Sequence, residues 1–304
     1  MTHSTDLINS LNSLPCIENT LGIDFLDTGL SQTAIKVTTE STVLFAKKLN
    51  NSTASSEIVS ALICSNAALA STKRASLAPE VIYHDKEWLI TKYIDGVTLI
   101  DAALNQAEKT TIALKLMARL HQLSNTMPSS AIATLDTRHA IDCVLPDPTS
   151  SLAKYSHILA EVTLYLTSTI EQLTESSKSQ GVICHGDLNF SNILLESNEI
   201  AWLVDFECTH HAPMEFDLAM FIAVNNISTD NLDRLVVTYL EYCPNVKVHS
   251  QLLNHYILYS YFINGLWYFN NKNTKLAKEQ WAAFDAFTHT SAINLPKLLS
   301  LVPR

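Results

Sequence analysis

His185-Gly186-Asp187-Leu188-Asn189-Phe190-Ser191-Asn192 and, further along, Leu203-Val204-Asp205-Phe206-Glu207 are the stretches on which the fold turns. The first follows the apolar run Val182-Ile183-Cys184 and precedes Ile193-Leu194-Leu195. A third run, Ile200-Ala201-Trp202-Leu203-Val204, leads into the second acid. Short apolar runs bounded by polar loops predict three short strands, read here as one hairpin-like unit. Asp187, Asn192 and Asp205 then stand at strand ends and converge on one cleft. Phosphoryl transfer from a nucleotide needs such a set. One Asp beside the acceptor hydroxyl orients it and takes its proton, while a second Asp and an Asn hold Mg2+ on the phosphates of ATP. Two other readings use the same residues. They are polar residues of ordinary loop tips, or His185 and the two Asp residues form a hydrolytic metal site, which would want further ligands that the sequence does not offer.

Upstream, the chain reads as mostly strand. Runs at 23–27, 32–38 and 42–49 are rich in β-branched residues and are separated by Gly29 and by Thr39-Glu40-Ser41. Residues 55–70 have helical spacing through Ile58, Ala61, Leu62 and Leu69. Residues 80–83 and 88–93 return to strand around the turn His84-Asp85-Lys86-Glu87. A small antiparallel sheet with one helix is expected. From Thr98 onward the periodicity is helical over 108–123, 151–175, 216–224, 229–243, 250–269 and 277–299. The composition shifts once, at Ile94-Asp95-Gly96. That divides the chain into 1–93 and 94–304 and makes the fold class α+β.

Composition narrows the function classes. Of 304 residues, 47% are hydrophobic and 16% charged, a core-forming mixture that excludes wholesale disorder. Twenty basic against thirty acidic residues leave a net charge of −10, which repels nucleic acid and anionic membranes but allows a local cationic pocket. The six cysteines have no CxxC or other zinc spacing, so reduced thiols in a cytosolic protein are expected. Met1-Thr2-His3-Ser4-Thr5-Asp6 lacks the basic and apolar regions of a signal peptide. The late apolar stretch 255–269 is too short and too polar to span a bilayer.

HGDLNFSNIL and LVDFE resemble the catalytic and metal-binding loops of the kinase-like phosphotransferases that act on small molecules, the group of choline/ethanolamine kinases, thiamine kinases and aminoglycoside phosphotransferases. Protein kinases share the logic but usually have Arg where Gly186 stands and Gly where Glu207 stands. The resemblance implies a bilobal, protein-kinase-like fold whose N-lobe, 1–93, binds nucleotide phosphates. The C-lobe, 94–304, would carry the catalytic loops and acceptor-binding helices. It extends to Gly29-Leu30-Ser31-Gln32, similar to the family's phosphate-covering turn, in which Gly29 and Ser31 would contact the nucleotide. Lys47 in Leu44-Phe45-Ala46-Lys47 matches the strand lysine on the phosphates, with Glu57 as its ion-pair partner and Lys48 on the opposite face. Trp88 to Gly96 resembles the strand leading into the interlobe hinge, where the backbone of Lys92, Tyr93 and Ile94 would bond an adenine. His121 resembles the histidine of the family's "LARLHSL" helix and is read as a brace. His185 is read as a brace of the catalytic loop, and Asp217 in Glu215-Phe216-Asp217-Leu218-Ala219 as the acid that holds that loop through backbone N–H groups.

The acceptor is read from the same resemblance. Residues 259–267 resemble the choline kinase segment in which aromatic rings box a trimethylammonium group. Asn264 replaces the tryptophan usual before that glycine, and Cys208 replaces the tyrosine often found after DFE. Two readings stand for Trp267, Tyr268, Trp281 and Phe284, a smaller or differently shaped apolar wall or ordinary helix core, and Asn264 is free to bond a polar acceptor. Glu207 and Glu215 would favour a cation. The substrate class is therefore a small, cationic alcohol, choline/ethanolamine- or thiamine-like. An aminoglycoside 3'-type phosphotransferase and a catalytically silent nucleotide-binding protein on the same fold are the alternatives. The oligomeric state is not legible.

Overall fold

Residues 2–26, 33–66, 76–124, 132–179 and 181–302 are described by the computed structural model. They group into two compact units. One comprises Met1–Lys109, Ser130–Ile132 and Ser191–Thr209, the other Thr110–Ser129, Ala133–Phe190 and His210–Arg304.

Apolar–polar alternation builds the first unit's sheet. β1 (Thr20–Leu26), β2 (Ala34–Thr39), β3 (Val43–Lys48), β4 (Val81–His84) and β5 (Trp88–Lys92) form five antiparallel strands in the order β1-β2-β3-β5-β4. Ile35, Val37, Leu44, Ala46, Trp88 and Ile90 point to one face and are buried there with Leu11, Leu14 and Ile17. Those last three come from a helix, Thr2–Asn12, and the turn after it. Trp88 Nε1 donates to Ser10 Oγ at 3.1 Å, fixing the helix to the sheet. The sequence reading does not anticipate this helix, although Leu7, Leu11 and Leu14 have its i, i+4, i+7 spacing. The opposite face of β3 presents Lys47, one residue from Ala46. Helix Ala54–Ser65 follows β3 and holds Glu57 in its first turn.

A second sheet in this unit has the order β6-β8-β9, from Gly96–Thr98, Ile193–Glu196 and Ala201–Leu203. It corrects the expected three-strand unit. β8 already has β6 on one side and β9 on the other, so it has no edge left for the strand before the catalytic motif. That strand, β7 (Gly181–Cys184), pairs instead with β10 (His210–Pro213) in the second unit. The β6–β8 pairing is also why the first unit runs past the expected 93/94 division and includes Ser191–Thr209.

The second unit is helical around that two-stranded ladder. Its central helix, Met214–Val224, buries nearly every residue, including Glu215 and Asp217. A helix apolar on all sides belongs inside a core. Helices Ser250–Asn270 and Thr274–Thr290 pack closely, because Gly265 lets the Trp281 ring approach the backbone. No helix among the described residues is long and apolar enough to cross a membrane.

An added Cβ at Gly265 would lie 2.0 Å from Trp281 Nε1, whereas one at Gly22 would meet nothing nearer than Thr38 Cβ at 3.9 Å. Gly265→Ala is expected to cost roughly 1–3 kcal/mol through overpacking, despite the helix preference for Ala. Gly22→Ala is expected to be neutral. Thermal melts of the two variants check this, and equal effects would contradict the packing argument.

Candidate active site

In the first unit, Lys47 is the centre of a charge cluster. Its Nζ donates to Glu57 Oε1 and, at 2.7 Å, to Asp205 Oδ1. Lys47 is 8% and Glu57 1% exposed, so neither charge is solvated by bulk water. Lys48, on the other face, is paired with Glu87 and lies 5.0 Å from the Trp88 ring centre. Asp205 adopts the left-handed region at φ 65° just after β9. The Val204 N–H donates to the Asn192 carbonyl at 3.0 Å, extending the β8–β9 ladder beyond its Ile193–Leu203 pair. Asn192 and Asp205 therefore stand at the same end of one hairpin.

The charges in this cluster do not balance. Burial works against the Lys47 ammonium, but Asp205 and Glu57 outweigh it and hold the lysine pKa above its usual value. Burial pushes the Glu57 carboxyl up, Lys47 opposes this, and the negative charges of Asp205 and Glu207 add to the rise. One ammonium thus faces two carboxylates, Glu57 and Asp205, and Glu57 Oε2 is buried without a hydrogen-bond partner among the described residues. The cluster is short of positive charge. A hard divalent cation fits it, and the amide and carboxylate oxygens of Asn192 and Asp205 are the donor type Mg2+ takes. The charge of Glu207, a residue expected near the acceptor, is felt by Glu57.

The turn at Gly29 and Ser31 lies outside the described residues. At the expected hinge, the Lys92 N–H donates to Glu80 O at 2.8 Å and the Tyr93 N–H to Val43 O at 3.0 Å. Both donors are used by the sheet, which leaves Ile94 as the one of the three that could offer a backbone N–H to a base.

In the second unit, the chain on either side of Asp187 is clamped. Asp217, fully buried, accepts the His185 N–H at 3.0 Å on Oδ2 and the Gly186 N–H at 2.9 Å on Oδ1. Gly186 has φ 78°, a conformation that favours glycine. On the other side, Asn225 Oδ1 accepts the Phe190 N–H at 2.9 Å and its Nδ2 donates to Leu188 O at 2.9 Å. Helix Met214–Val224 therefore splints the loop, with Asp217 in its first turn and Asn225 at its C-cap. His121 Nε2 reaches Asp217 Oδ2 at 3.0 Å. Burial tends to raise the Asp217 pKa, but the hydrogen bonds from His121 and the Gly186 N–H outweigh it and lower the carboxyl below the usual carboxylate range. Sequence reasoning missed Asn225. Its signal, a polar residue closing an apolar helix, is common at any helix end.

The expected acceptor residues divide. Trp281 and Phe284 are fully buried, and Trp281 Nε1 donates to Phe262 O at 3.4 Å, so both rings belong to the core rather than to a wall. Glu215 is also buried. It accepts the His249 N–H at 2.8 Å at the start of the Ser250–Asn270 helix, so its charge serves the fold. Trp267 is 39% exposed and meets Tyr268 edge-on at 5.3 Å. The Tyr268 hydroxyl is raised in pKa by burial, then by the nearby charges of Asp187 and Glu279. Asn264 Nδ2 is buried with no hydrogen-bond partner among the described residues. A separate cavity of about 350 Å³ is lined by Arg138, Leu145, Ser156 and Leu159, away from these residues.

A model of the phosphotransferase enzyme family (APH) matches residues 28–243. The chain belongs to that family. Among solved structures, it is similar over 98% of its length to 98% of a choline/ethanolamine kinase family protein from Mesorhizobium loti, at 16% identity and TM-score 0.65. It is similar over 95% of its length to all of the choline kinase LicA from Streptococcus pneumoniae, at 13% identity and TM-score 0.69. A spectinomycin phosphotransferase, APH(9)-Ia, solved with ADP and spectinomycin, is similar over 98% of this chain and 97% of its own, at 16% identity and TM-score 0.56. These likenesses establish the kinase-like fold: an antiparallel sheet followed by a helical part. No curated protein sequence matches the chain.

Asp217→Asn is expected to destabilise the protein by about 3–5 kcal/mol at pH 7, because an amide nitrogen would face N–H donors in a buried site. The lowered pKa makes the carboxylate's contribution fully present above the unfolded value of about 4 and lost as pH falls through the lower folded value. Denaturant titrations from pH 7 downward should therefore find the gap between wild type and variant narrowing below about pH 4. A gap that stays constant would contradict the network.

Proposed function

We propose that this phosphotransferase moves the γ-phosphoryl group of ATP to the hydroxyl of a small cationic alcohol, choline-, ethanolamine- or thiamine-like. The Lys47–Glu57–Asp205 cluster carries the reading. A lysine buried between two carboxylates keeps its charge and position before any nucleotide arrives, and preorganised charge is what phosphoryl transfer asks of a protein. Asn192 and Asp205 would hold Mg2+. The ion, when bound, neutralises charge developing on the phosphate oxygens. With Asp205 drawn away, Lys47 would direct its ammonium to the nucleotide phosphates while Glu57 keeps it in place. Asp187 would orient the acceptor hydroxyl and take its proton as the new P–O bond forms. The clamps at Gly186, Leu188 and Phe190 limit where its carboxylate can go, which favours an in-line approach.

The cationic acceptor rests on the second unit. Tyr268 feels the charges of both Asp187 and Glu279, and the half-exposed Trp267 stacks edge-on against it. Aromatic faces next to carboxylates suit an organic ammonium. Asn264 adds a donor for a polar group. A polyamine sugar would want several carboxylates, and helix Ser250–Asn270 has none. On helix Thr274–Thr290, Asp285 is engaged with the Leu298 and Leu299 N–H groups, which leaves Glu279. The aminoglycoside reading, favoured by similar structures such as the spectinomycin phosphotransferase, ranks second for this reason.

Steady-state kinetics with choline, ethanolamine, thiamine and kanamycin are expected to favour one of the first three. A preference for kanamycin would overturn the acceptor reading. Asp187→Ala should lower kcat by about 10²–10⁴-fold. By calorimetry, Lys47→Met should weaken Mg-ATP binding and Lys48→Met should not. Equal affinities would remove Lys47 from the phosphate site.

A further inference from the structure

We propose that Tyr239 and His121 are positioning residues for the Asp187 loop: the Tyr239 hydroxyl selects the His121 tautomer that bonds Asp217, and Asp217 sets the turn before Asp187. The inference rests on the phosphotransfer role given to Asp187.

Tyr239 sits on helix Leu232–Tyr242 and His121 on helix Gln106–Leu123, and both are buried in the second unit. His121 Nδ1 lies 2.8 Å from the Tyr239 hydroxyl, and Nε2 lies 3.0 Å from Asp217 Oδ2. The rings meet edge-on at 5.7 Å. An ionised carboxylate only accepts hydrogen bonds. Asp217 therefore requires the proton on Nε2, in addition to the His185 and Gly186 N–H groups it already accepts. In the neutral ring Nδ1 is then a lone-pair acceptor, and the Tyr239 O–H is the donor within reach. The other partners of that hydroxyl, Met214 Sδ at 3.7 Å and the Cys243 thiol, are weak sulfur acceptors. The bond to Nδ1 thus fixes which nitrogen faces Asp217, because the partner of one imidazole nitrogen sets the state of the other.

Removing the hydroxyl leaves a buried acceptor without its donor. The ring can then satisfy itself by moving its proton to Nδ1 or by turning. Either change takes the Nε2–H from Asp217 and loosens the carboxylate that holds Gly186 at φ 78°. Asp187 follows Gly186 directly, and small displacements of a reacting group cost large factors in rate.

Tyr239→Phe removes the hydroxyl and little volume. In the full-length protein it should lower kcat about tenfold, the worth of one hydrogen bond, with the KM for ATP unchanged. Amide hydrogen exchange at His185 and Gly186 should be faster, and 15N imidazole spectra should lose the Nε2–H tautomer of His121. His121→Gln, which keeps a donor for Asp217, should retain more activity than His121→Leu. Wild-type kcat together with unchanged exchange at Gly186 in Tyr239→Phe would overturn the proposal, as would a lowered melting temperature with no change in kcat. If the wild type transfers phosphoryl to nothing, the phosphotransfer reading fails, and the exchange and tautomer spectra still decide whether the relay exists.

Discussion

A single carboxylate in the dark of the core, Asp217, holds the turn before Asp187 in the second unit. Taking a charge out of water is expensive unless donors replace the lost solvation. Here the donors are two consecutive backbone N–H groups and an imidazole. The arrangement has one geometric consequence. The carboxylate is satisfied only if the chain turns at Gly186, and that turn is what presents Asp187. Asn225, at the far end of the same helix, repeats the device with an amide that both donates and accepts. The apolar helix between them is thus a ruler buried under the loop.

The first unit solves a different problem, that of keeping a lysine charged without water. Glu57 alone would suffice for a pair, but Asp205 also bonds Lys47, and Glu207 adds to the negative field. On the proposed function, this excess of negative charge would receive a cation, and Lys47 would become available once Asp205 has another partner. Binding and activation would then be one electrostatic exchange. No large rearrangement of the sheet is required, since Lys47 and Glu57 are held by neighbouring elements, β3 and helix Ala54–Ser65.

Much of this was legible in the chain because short motifs encode local geometry. The spacing from Asp187 to Asn192 and the acid after an apolar run reveal loop, turn and strand together, while alternation only sets Lys47 and Lys48 on opposite faces and the resemblance chooses between them. What the sequence hid depends on long-range partners. β7 and β8 are near neighbours in the chain but belong to different sheets, since pairing is set by which edges are open. Trp281 reads like a binding aromatic, yet Gly265 gives it room in the core. Glu215 reads like a cleft acid, yet it bonds the His249 N–H. Tyr239, Asn225 and Glu279 had no motif around them. Their significance lies in what they face, and only the fold supplies that.

The destination of the γ-phosphoryl group tests the proposed reaction most directly. A single-turnover quench experiment with ATP labelled at that position, Mg2+ and a mixture of small cationic alcohols would follow it. The account predicts that label appears on one of the alcohols faster than in inorganic phosphate. It would be contradicted if the label stays in ATP with every alcohol, or if it passes to water alone at a rate the Asp187→Ala protein matches.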